Sequence, residues 1–528
     1  MFSGFDLPDK KCPHCGETLK RDGQNIPFET FLGFSAEKVP DIDLNFPSDY
    51  QARAHNLLKV LFSENNVYRA GTIETVAEKT AFGYVRGYFE RLGIDPNTIP
   101  RNTIAYIAQK CQGVKRTTGQ HPGGIVVIPM EYDVFDFTPI QYPADDKEAD
   151  WKTTHFDFHA IHDTVLKLDL LGHVDPLALK MMSELTNIDI KDIPMNDMRV
   201  LSLFSSPKAL GLSRNYLGAK TGSMAIPEFG TEFVQGILKV AFPKTFSDLL
   251  AISGLSHGTD VWKDNAETLI QTKVASGLRD VIGCRDDIMT YLISKGLPSK
   301  IAFSVMEDVR KGKKLKKEYE DLMRAKNIPE FYIDSCNKIK YLFPKAHATA
   351  YVMQAIRVGY FKVYHPLAFY ATYFTARSKQ YDIEAMIAGE NKIIDRIEEI
   401  KRKKANGEKP SPKEDEILKT LNIAIEMVER GYKFSNLDLY KSDATRFVID
   451  EENKALIPPF IVIDGLGESA AYSVVQARAD GSKFLSKEDL LRRTKLNGTN
   501  VNQLDALGVL KDLGERDQVS LFDFNFGD

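Results

Sequence analysis

The chain has 528 residues, of which 43% are hydrophobic and 27% are charged, with 69 basic against 73 acidic residues. This is the usage of a globular protein of about three or four domains, and it excludes a disordered or collagen-like chain. A net charge of −4 excludes a protein that is basic throughout, so any nucleic-acid surface must be a local patch. Five cysteines are too few for a disulfide framework, which predicts a reducing cytoplasm.

No targeting or membrane segment is predicted. Residues 1–11 are polar and charged, so no signal peptide is expected. The most apolar later stretch, about 346–376, is interrupted by Arg357, Lys362, His365 and Pro366. Because a membrane span needs about 20 largely uninterrupted apolar residues, we expect a buried helical region there instead.

Four zones follow one another along the chain. Residues 1–38 carry a Cys-x-x-Cys turn, and residues 39–175 alternate helical runs with strand candidates at 41–46, 124–129 and 165–171. Residues 176–440 are predicted to be mainly helical, with amphipathic helices at 391–404 and 414–430 joined by a solvated loop. Residues 441–528 form a smaller unit with a glycine-rich hairpin, two short helices and an unusual C-terminal peptide.

The first candidate for chemistry is the run PDIDLNF, in which Asp41 and Asp43 lie two residues apart. In a strand they would share a face, with Ile42 and Leu44 buried behind them. Adjacent carboxylates repel unless a cation lies between them, and magnesium favours such ligands together with substrate phosphates. The run therefore predicts half of a two-metal site, although alone it fits a solvated loop or a helix N-cap equally well.

The second half of that site is predicted in the run LKLDLL, where Lys167 and Asp169 share a face. Asp169 would complete a carboxylate triad, and Lys167 would meet a phosphate or balance the negative charge. A nearby run supplies His155, His159, His162 and His173, but it lacks the glutamate of an HExxH zinc motif. We expect these histidines to pack or to donate hydrogen bonds.

Eight motifs occur together in this sequence: PDIDLNFP, TTGQHPGGIVVIP, LKLDLLGH, IPEFGTEF, ISGLSHGTDVW, GCRDDIM, YLFPKAHATAYVM and QVSLF. In this order they resemble the C-terminal part of the PolC-type DNA polymerase III alpha subunit, a bacterial family C replicative polymerase. The resemblance runs over essentially the whole chain.

The resemblance implies an α+β multidomain fold with a partial nucleotidyltransferase palm related to polymerase beta. Residues 1–38 would be the edge of the palm and thumb, 39–175 the palm, 176–440 helical fingers, 441–517 a helix-hairpin-helix duplex-binding domain, and 518–528 a clamp-binding tail. It places Asp41, Asp43 and Asp169 at the metal-binding positions for two Mg²⁺ ions. The implied reaction transfers a nucleotidyl group from a dNTP to a primer 3′-hydroxyl.

The implied partners are primer-template DNA, dNTPs, the beta sliding clamp and other replisome subunits, in the cytoplasm at the nucleoid. The family's N-terminal, OB, PHP and exonuclease regions and its Gly-Ser palm motif have no counterpart here, so a poorly active fragment is expected. Two alternatives stay open. One is a metal-dependent nuclease or phosphohydrolase that uses the Asp cluster with His155 or His162, and the other is an inactive clamp- and DNA-tethering module.

Cys12 and Cys15 supply two of the four ligands of a structural zinc site. In the family a second Cys-x-x-Cys lies upstream. Either an empty, reduced half-site or Zn²⁺ held with His14 or water is compatible with the sequence.

Phosphate-binding candidates lie in the helical zone. The run 310–317 (RKGKKLKK) is typical of a solvated helix end, but in a polymerase finger Arg310, Lys311, Lys313 and Lys314 would track DNA phosphates. Lys345 and His347 open a predicted helix, whose N-terminus favours phosphate. The resemblance places this pair near the incoming nucleotide, and Arg285 and His257 are weaker candidates for the same pocket.

Three further contacts are predicted. Arg116 begins a glycine-rich turn (RTTGQHPGG) that would cradle phosphate through its backbone amides. Gly465 and Gly467 indicate a helix-hairpin-helix turn, with a partner hairpin at 504–510, although an ordinary turn between helices fits as well. The tail pentapeptide resembles a clamp-binding motif whose apolar anchors and polar rim are Gln518, Ser520, Leu521 and Phe522.

Overall fold

The computed structural model describes residues 3–34, 39–40, 42–143 and 146–516. The chain divides into two compact units. Residues Pro27–Leu177 form the sheet unit, and Met1–Ile26 together with Ala178–Asp528 form the helical unit.

The sheet unit is built on a mixed sheet of strand order β1-β6-β3-β2-β5-β4. The pairs β1–β6 and β2–β5 are parallel, and the other pairs are antiparallel. In chain order the elements are α1 (Glu29–Leu32), β1 (Ile42–Pro47), α2 (Gln51–Phe62), β2 (Val67–Thr75), α3 (Glu78–Arg91), α4 (Arg101–Cys111), β3 (Lys115–Val127), β4 (Ile140–Gln141), β5 (Thr153–Asp157), α5 (Phe158–Ile161), β6 (Leu166–His173) and α6 (Val174–Thr186), which continues into residues of the helical unit.

Alternation along the strands gives each face of this sheet a buried apolar cluster, and Val126 and Tyr68 belong to the one on the face of Lys167. Leu168 and Leu170 of β6 pack with Ile125 of β3 against Ala54 and Leu58 of α2. The opposite face carries the polar side chains of β1 and β6, as a period of two requires. The strands predicted at 41–46 and 165–171 are therefore confirmed within the described residues.

The predicted burial of Leu44 is wrong, because its side chain is 40% exposed. In the described part of the sheet, β1 is an edge strand that pairs with β6, so fewer neighbours cover its apolar side chains. Ile42, in contrast, packs against the buried cluster as expected.

The helical unit contains the elements α7 (Met198–Ser202), α8 (Glu232–Ala241), α9 (Phe246–His257), α10 (Glu267–Gln271), α11 (Arg285–Ser294), α12 (Ser299–Arg310), α13 (Lys317–Ala325), α14 (Glu330–Lys338), α15 (Lys345–Tyr364), α16 (Pro366–Ala376), α17 (Ile383–Ala388), α18 (Glu390–Ala405), α19 (Pro412–Glu429), β7 (Lys433–Phe434), β8 (Val448–Asp450), β9 (Ala455–Ile457), α20 (Glu468–Ala477), α21 (Lys487–Arg493) and α22 (Gly498–Ala506). The short strands form a sheet of order β7-β9-β8. The helices predicted at 391–404 and 414–430 correspond to α18 and α19.

The apolar stretch 346–376 forms most of α15 and α16, and it lies in the core as predicted. Phe361, Tyr370 and Phe374 are fully buried there. Across the described ranges, none of the helices combines the length and the apolar character that crossing a bilayer requires.

A buried ion pair ties α15 to α19. Lys362 is 0% exposed, and its Nζ lies 2.8 Å from Oε1 of Glu426. The same ammonium donates to the carbonyl oxygens of Gly222 at 2.9 Å and Met224 at 2.6 Å. Tyr370 Oη donates to the Glu426 carboxylate at 2.8 Å. The ion pair thus fixes a loop of the chain, residues 222–224, against the two helices.

Candidate active site

Two of the three predicted acidic residues lie side by side in the sheet unit. Asp43 of β1 and Asp169 of β6 are direct partners in the parallel register. Paired residues of neighbouring strands project to the same face about 5 Å apart. Asp41 lies outside the described residues, so the triad itself remains a prediction.

Asp169 has the features of a cation ligand. The residue is 8% exposed, and its Oδ2 accepts a hydrogen bond from Lys167 Nζ at 2.7 Å. Its Oδ1 is buried without a hydrogen-bond partner, which is costly for a carboxylate oxygen. Lys167 also lies over the Phe158 ring, 4.8 Å from the centroid, so its ammonium is held at the carboxylate. A divalent ion would satisfy the orphaned oxygen, and the oxygen donor set suits magnesium.

Within the described residues, no group of three or more His, Cys, Asp or Glu side chains is placed to hold a metal. Asp43 and Asp169 therefore supply two carboxylates of a site whose third predicted ligand, Asp41, lies outside that part of the chain. The residues that are described fit a magnesium site of one or two carboxylates completed by water and phosphate.

The glycine-rich segment is not the turn that the sequence predicted. Residues Lys115–Val127 form one strand, β3, and the register with β2 jumps between the pairs Gly71–Gln120 and Arg69–Ile125. The segment 121–124 is therefore a bulge inside a paired strand. The amides of Gly123 and Gly124 donate to Nδ1 of His121 at 3.3 Å and 2.7 Å, so they are not directed at a phosphate.

This bulge brings His121 to the carboxylate site, which the sequence analysis missed. Nδ1 of His121 lies 3.5 Å from Oδ1 of Asp169. Burial lowers the pKa of His121, and it outweighs the opposing effect of Asp169. Nδ1 accepts the Gly124 amide proton, so a neutral ring carries its hydrogen on Nε2. A Cβ on Gly124 would lie 2.7 Å from Nδ1 of His121, so a larger residue here would displace the His121 ring.

A cavity of about 280 Å³ opens beside this site, and it is lined by Lys167, His121, Asp157, Phe158, His159 and His162 among others. Asp157 Oδ1 lies 2.7 Å from Nδ1 of His159. His155 lies on β5 rather than on a helix with His159, and its Nδ1 lies 2.7 Å from Gln141 Oε1. The contacts of His155 and His159 agree with the expected hydrogen-bonding role, whereas Nε2 of His173 is buried without a hydrogen-bond partner.

In the helical unit, the structure brings the four other predicted nucleotide-binding residues together. Lys345 begins α15 and Arg285 begins α11, and the Arg285 amide donates to the Phe343 carbonyl at 3.1 Å. The Phe343 ring stacks on His257 with centroids 4.4 Å apart and lies 5.5 Å from His347. Their contact with a nucleotide stays a prediction.

Lys345 is less available than the sequence suggested. Its Nζ lies 2.7 Å from Asp287 Oδ1, and its amide donates to Asp286 Oδ2 at 2.8 Å. Burial works to lower the pKa of Lys345, but Asp287 outweighs it and the pKa is raised. A phosphate bound here would compete with two aspartates of α11.

Glu228 is a second residue that sequence reasoning missed. Its Oε2 lies 2.8 Å from Nε2 of His257, and this hydrogen bond is the main cause of a raised pKa for His257. The pair is 29 residues apart, and the motif IPEFGTEF that contains Glu228 was the available signal.

The predicted DNA-binding residues fall in different settings. Arg310 is the last residue of α12 and donates to Glu307 at 2.8 Å, and Lys311 lies 3.4 Å from the same carboxylate. Lys313 and Lys314 are exposed in the loop that precedes α13, and Arg116 is exposed on β3.

The predicted hairpin has the backbone that a tight turn requires. Gly465 has φ of +76°, and Gly467 is the N-cap of α20. Gln503 of α22 donates to the Asp464 carbonyl at 3.1 Å, which holds the turn against the second predicted hairpin. There, Gly508 follows α22 with φ of +73°.

The cysteine turn forms a small hairpin. The Cys12 amide donates to the Glu17 carbonyl at 2.7 Å, and Lys11 bridges to Thr18. Hydrogen bonds from the backbone of Cys15 and then of His14 lower the pKa of the Cys12 thiol. The clamp-motif residues Gln518, Ser520, Leu521 and Phe522 lie outside the described residues.

Three family models match the chain. The bacterial DNA polymerase III alpha NTPase domain matches residues 17–101 and 92–172, and the finger domain of the same subunit matches residues 175–327. A helix-hairpin-helix motif matches residues 431–519. These matches define the class of protein as bacterial DNA polymerase III alpha subunits.

Several similar proteins are PolC-type DNA polymerases III. The chain is 56% identical over 521 residues to the DNA polymerase III PolC-type of Bacillus subtilis and 54% identical over 523 residues to that of Oceanobacillus iheyensis. The match to the Mycoplasmopsis pulmonis protein is 52% over 522 residues. These alignments cover 98–99% of this chain and 36% of each relative. The chain belongs to the PolC-type DNA polymerase III family and spans about a third of the length of these relatives.

Proposed function

We propose that the chain carries the polymerising site of a replicative DNA polymerase and adds nucleotides to a primer 3′-hydroxyl with two magnesium ions. The observation that supports this most directly is the pairing of Asp43 with Asp169, whose buried Oδ1 has no hydrogen-bond partner. The sheet unit would then be the palm, and the helical residues from 176 the fingers. The family membership and the two polymerase family models support the same assignment.

Different residues would bind the metal ions and contact the phosphates. Asp43 and Asp169, with Asp41, would hold the ions, which when bound supply activation of the 3′-hydroxyl and neutralisation of the triphosphate. Lys167, which now neutralises Asp169, would turn to a phosphate oxygen once that carboxylate is otherwise engaged. His121 stays neutral because of its burial and therefore adds no charge beside Asp169.

We also propose that the chain binds duplex DNA. The turn at Gly465 and the N-terminus of α20 present backbone amides, which bind phosphates without reading sequence. Exposed Lys313 and Lys314 would add salt-dependent affinity. The tail at 518–522 would tether the enzyme to the sliding clamp and raise its effective concentration on DNA. Such a role would place the chain in the bacterial cytoplasm.

The test compares the chain with its Asp169→Asn variant in primer extension and in Mn²⁺ binding. Asp150→Asn is the matched control, because Asp150 is an exposed acid of the same unit. We expect Asp169→Asn to weaken Mn²⁺ binding and to lower extension by about a hundredfold or more, with Asp150→Asn unchanged.

Other outcomes would favour the alternatives. Degradation of the primed template without extension would indicate a metal-dependent nuclease. Duplex and clamp binding with neither reaction, and with no effect of Asp169→Asn on Mn²⁺ binding, would indicate a tethering module.

A further inference from the structure

The bulge in β3, residues 121–124, has an arginine behind it. Arg69 of β2 pairs with Ile125, directly after the bulge, and it shares a face of the sheet with Val67. That face carries the apolar cluster of Val67, Ile125 and Trp151, and the Arg69 guanidinium carbon lies 5.9 Å from the Trp151 ring centroid. The acidic side chains of β1 and β6 project from the other face. Arg69 therefore approaches the bulge from the side opposite the candidate active site.

Two side chains on this side donate to backbone carbonyls in and beside the bulge. Nη1 of Arg69 donates to the carbonyl oxygens of Pro122 at 3.0 Å and of His121 at 3.4 Å. Nε2 of Gln51, the first residue of α2, donates to the same Pro122 oxygen at 3.2 Å and to the carbonyl oxygen of Leu170 at 2.8 Å. Leu170 directly follows the acidic residue of β6, so Gln51 joins the bulge to the strand that carries the carboxylate.

The charge of Arg69 is not used in an ion pair within the described part of the chain. Burial lowers the pKa of Arg69, and its Nε is buried without a hydrogen-bond partner. A cation that is partly removed from water and has no anionic partner is unfavourable by itself. Its remaining hydrogen bonds go to the bulge, and bonds from a charged donor are among the stronger ones. The guanidinium thus stabilises the irregular backbone of the bulge.

On the other face, the bulge encloses the acidic residue. Gly124 pairs with Asp169, and its amide donates to Nδ1 of His121, which lies 3.5 Å from Asp169 Oδ1. A Cβ on Gly123 would lie 2.8 Å from the Leu170 carbonyl oxygen, so the bulge is in close contact with β6. A shift of the bulge would therefore move the groups that surround the orphaned oxygen of Asp169.

We propose that Arg69 is a positioning residue of the acidic site: together with Gln51 it fixes the bulge from behind the sheet, and the bulge in turn holds Asp169 in place for a divalent cation. This inference rests on the proposed function and deepens it. Neither side chain contacts the cation, because both act through the backbone of residues 121–122. Bulges commonly lie next to active sites, where they direct a side chain.

The test uses the whole chain, three variants and one control. Arg69→Met removes the charge and both hydrogen bonds, Arg69→Lys keeps the charge, and Gln51→Leu removes the second donor. Lys59→Met is the matched control, because Lys59 lies over the same Trp151 ring, 4.6 Å from the centroid, but donates to the Asp150 carbonyl instead of the bulge. The dissociation constant of Mn²⁺ and the hydrogen-exchange rate of the Gly124 amide, read by NMR on protein labelled with ¹⁵N-glycine, are measured for each.

We expect Arg69→Met to accelerate exchange of the Gly124 amide about tenfold or more, because its hydrogen bond to His121 depends on the bulge. Mn²⁺ binding should weaken about tenfold, since a displaced carboxylate no longer meets the cation in the right geometry. Gln51→Leu should change both quantities in the same direction. Arg69→Lys can still reach one carbonyl and should recover part of both losses, and Lys59→Met should leave both at the wild-type values.

The inference is overturned if Arg69→Met and Gln51→Leu leave the Gly124 exchange rate unchanged, or if exchange accelerates while Mn²⁺ affinity stays at the wild-type value. An equal loss of Mn²⁺ affinity in Arg69→Met and Lys59→Met also contradicts it, because a general loss of stability gives that pattern. If Arg69→Met does not fold, Arg69→Lys and Gln51→Leu decide by the same two measurements. A wild-type chain that binds no Mn²⁺ contradicts the proposed function, and the exchange rates then still decide whether Arg69 holds the bulge.

Discussion

Replacing Lys362 by methionine tests the energetics of the helical core. The substitution keeps the volume but leaves the Glu426 carboxylate, 3% exposed, with Tyr370 as its described hydrogen-bond donor. It also removes the donor from the carbonyls of Gly222 and Met224. Breaking a buried pair on one side costs about 3–5 kcal/mol, because a charge stays buried without compensation. Each orphaned carbonyl adds about 1–3 kcal/mol unless water reaches it.

We therefore expect Lys362→Met to lower the free energy of unfolding of the helical unit by at least about 3 kcal/mol. Urea denaturation followed by circular dichroism measures this loss. Adding Glu426→Gln should restore part of it, since the double variant buries no charge. Lys392→Met is the control, because Lys392 is 68% exposed and its pair with Asp395 is 3.8 Å long. A Lys362→Met loss no larger than that of Lys392→Met would refute the reasoning.

Three further predictions concern the two units. Gly124→Ala would place a Cβ 3.1 Å from Oδ1 of Asp169, and we expect Mn²⁺ affinity to fall about tenfold in a titration. Gly465→Val forces a branched side chain into φ of +76°, which costs about 1–2 kcal/mol, so duplex affinity measured by fluorescence anisotropy should drop several-fold without a change in Mn²⁺ binding. Burial lowers the pKa of His55 and of His121, so the folded sheet unit binds fewer protons than the unfolded chain and loses stability as pH falls below about 6.5. Thermal melts should show this loss, and His55→Gln should reduce its slope.

Local patterns in the sequence predicted the carboxylate pair. The alternation around Asp43 and Asp169 indicates strands with polar faces, and the strands do pair with these residues in register. The same pattern could not show that β1 lies at an edge of the sheet, because strand order depends on contacts far apart in the chain. The exposure of Leu44 could therefore not be predicted from the sequence.

What the sequence could not show are contacts that depend on an irregular backbone. His121 reaches Asp169 only because a bulge displaces four residues of β3, while the glycines around it are typical of an ordinary turn. Glu228 and His257 meet because a left-handed residue redirects the chain. The periodicity of the sequence predicts neither the bulge at His121 nor the turn at Glu228. Both nevertheless lie in motifs that contain glycine and proline, HPGG and IPEFG.

The alternation of β6 has a consequence for folding as well as for chemistry. A slip of β6 by one residue against its neighbours would turn Lys167 and Asp169 toward the apolar cluster that now buries Leu168 and Leu170, and would bring those leucines to the face that carries the acidic group. A sheet paired in this register would lose the packing of Leu168 and Leu170, and Asp169 would point to the wrong face. The register of β6 therefore determines both the burial of its leucines and the position of its acidic side chain.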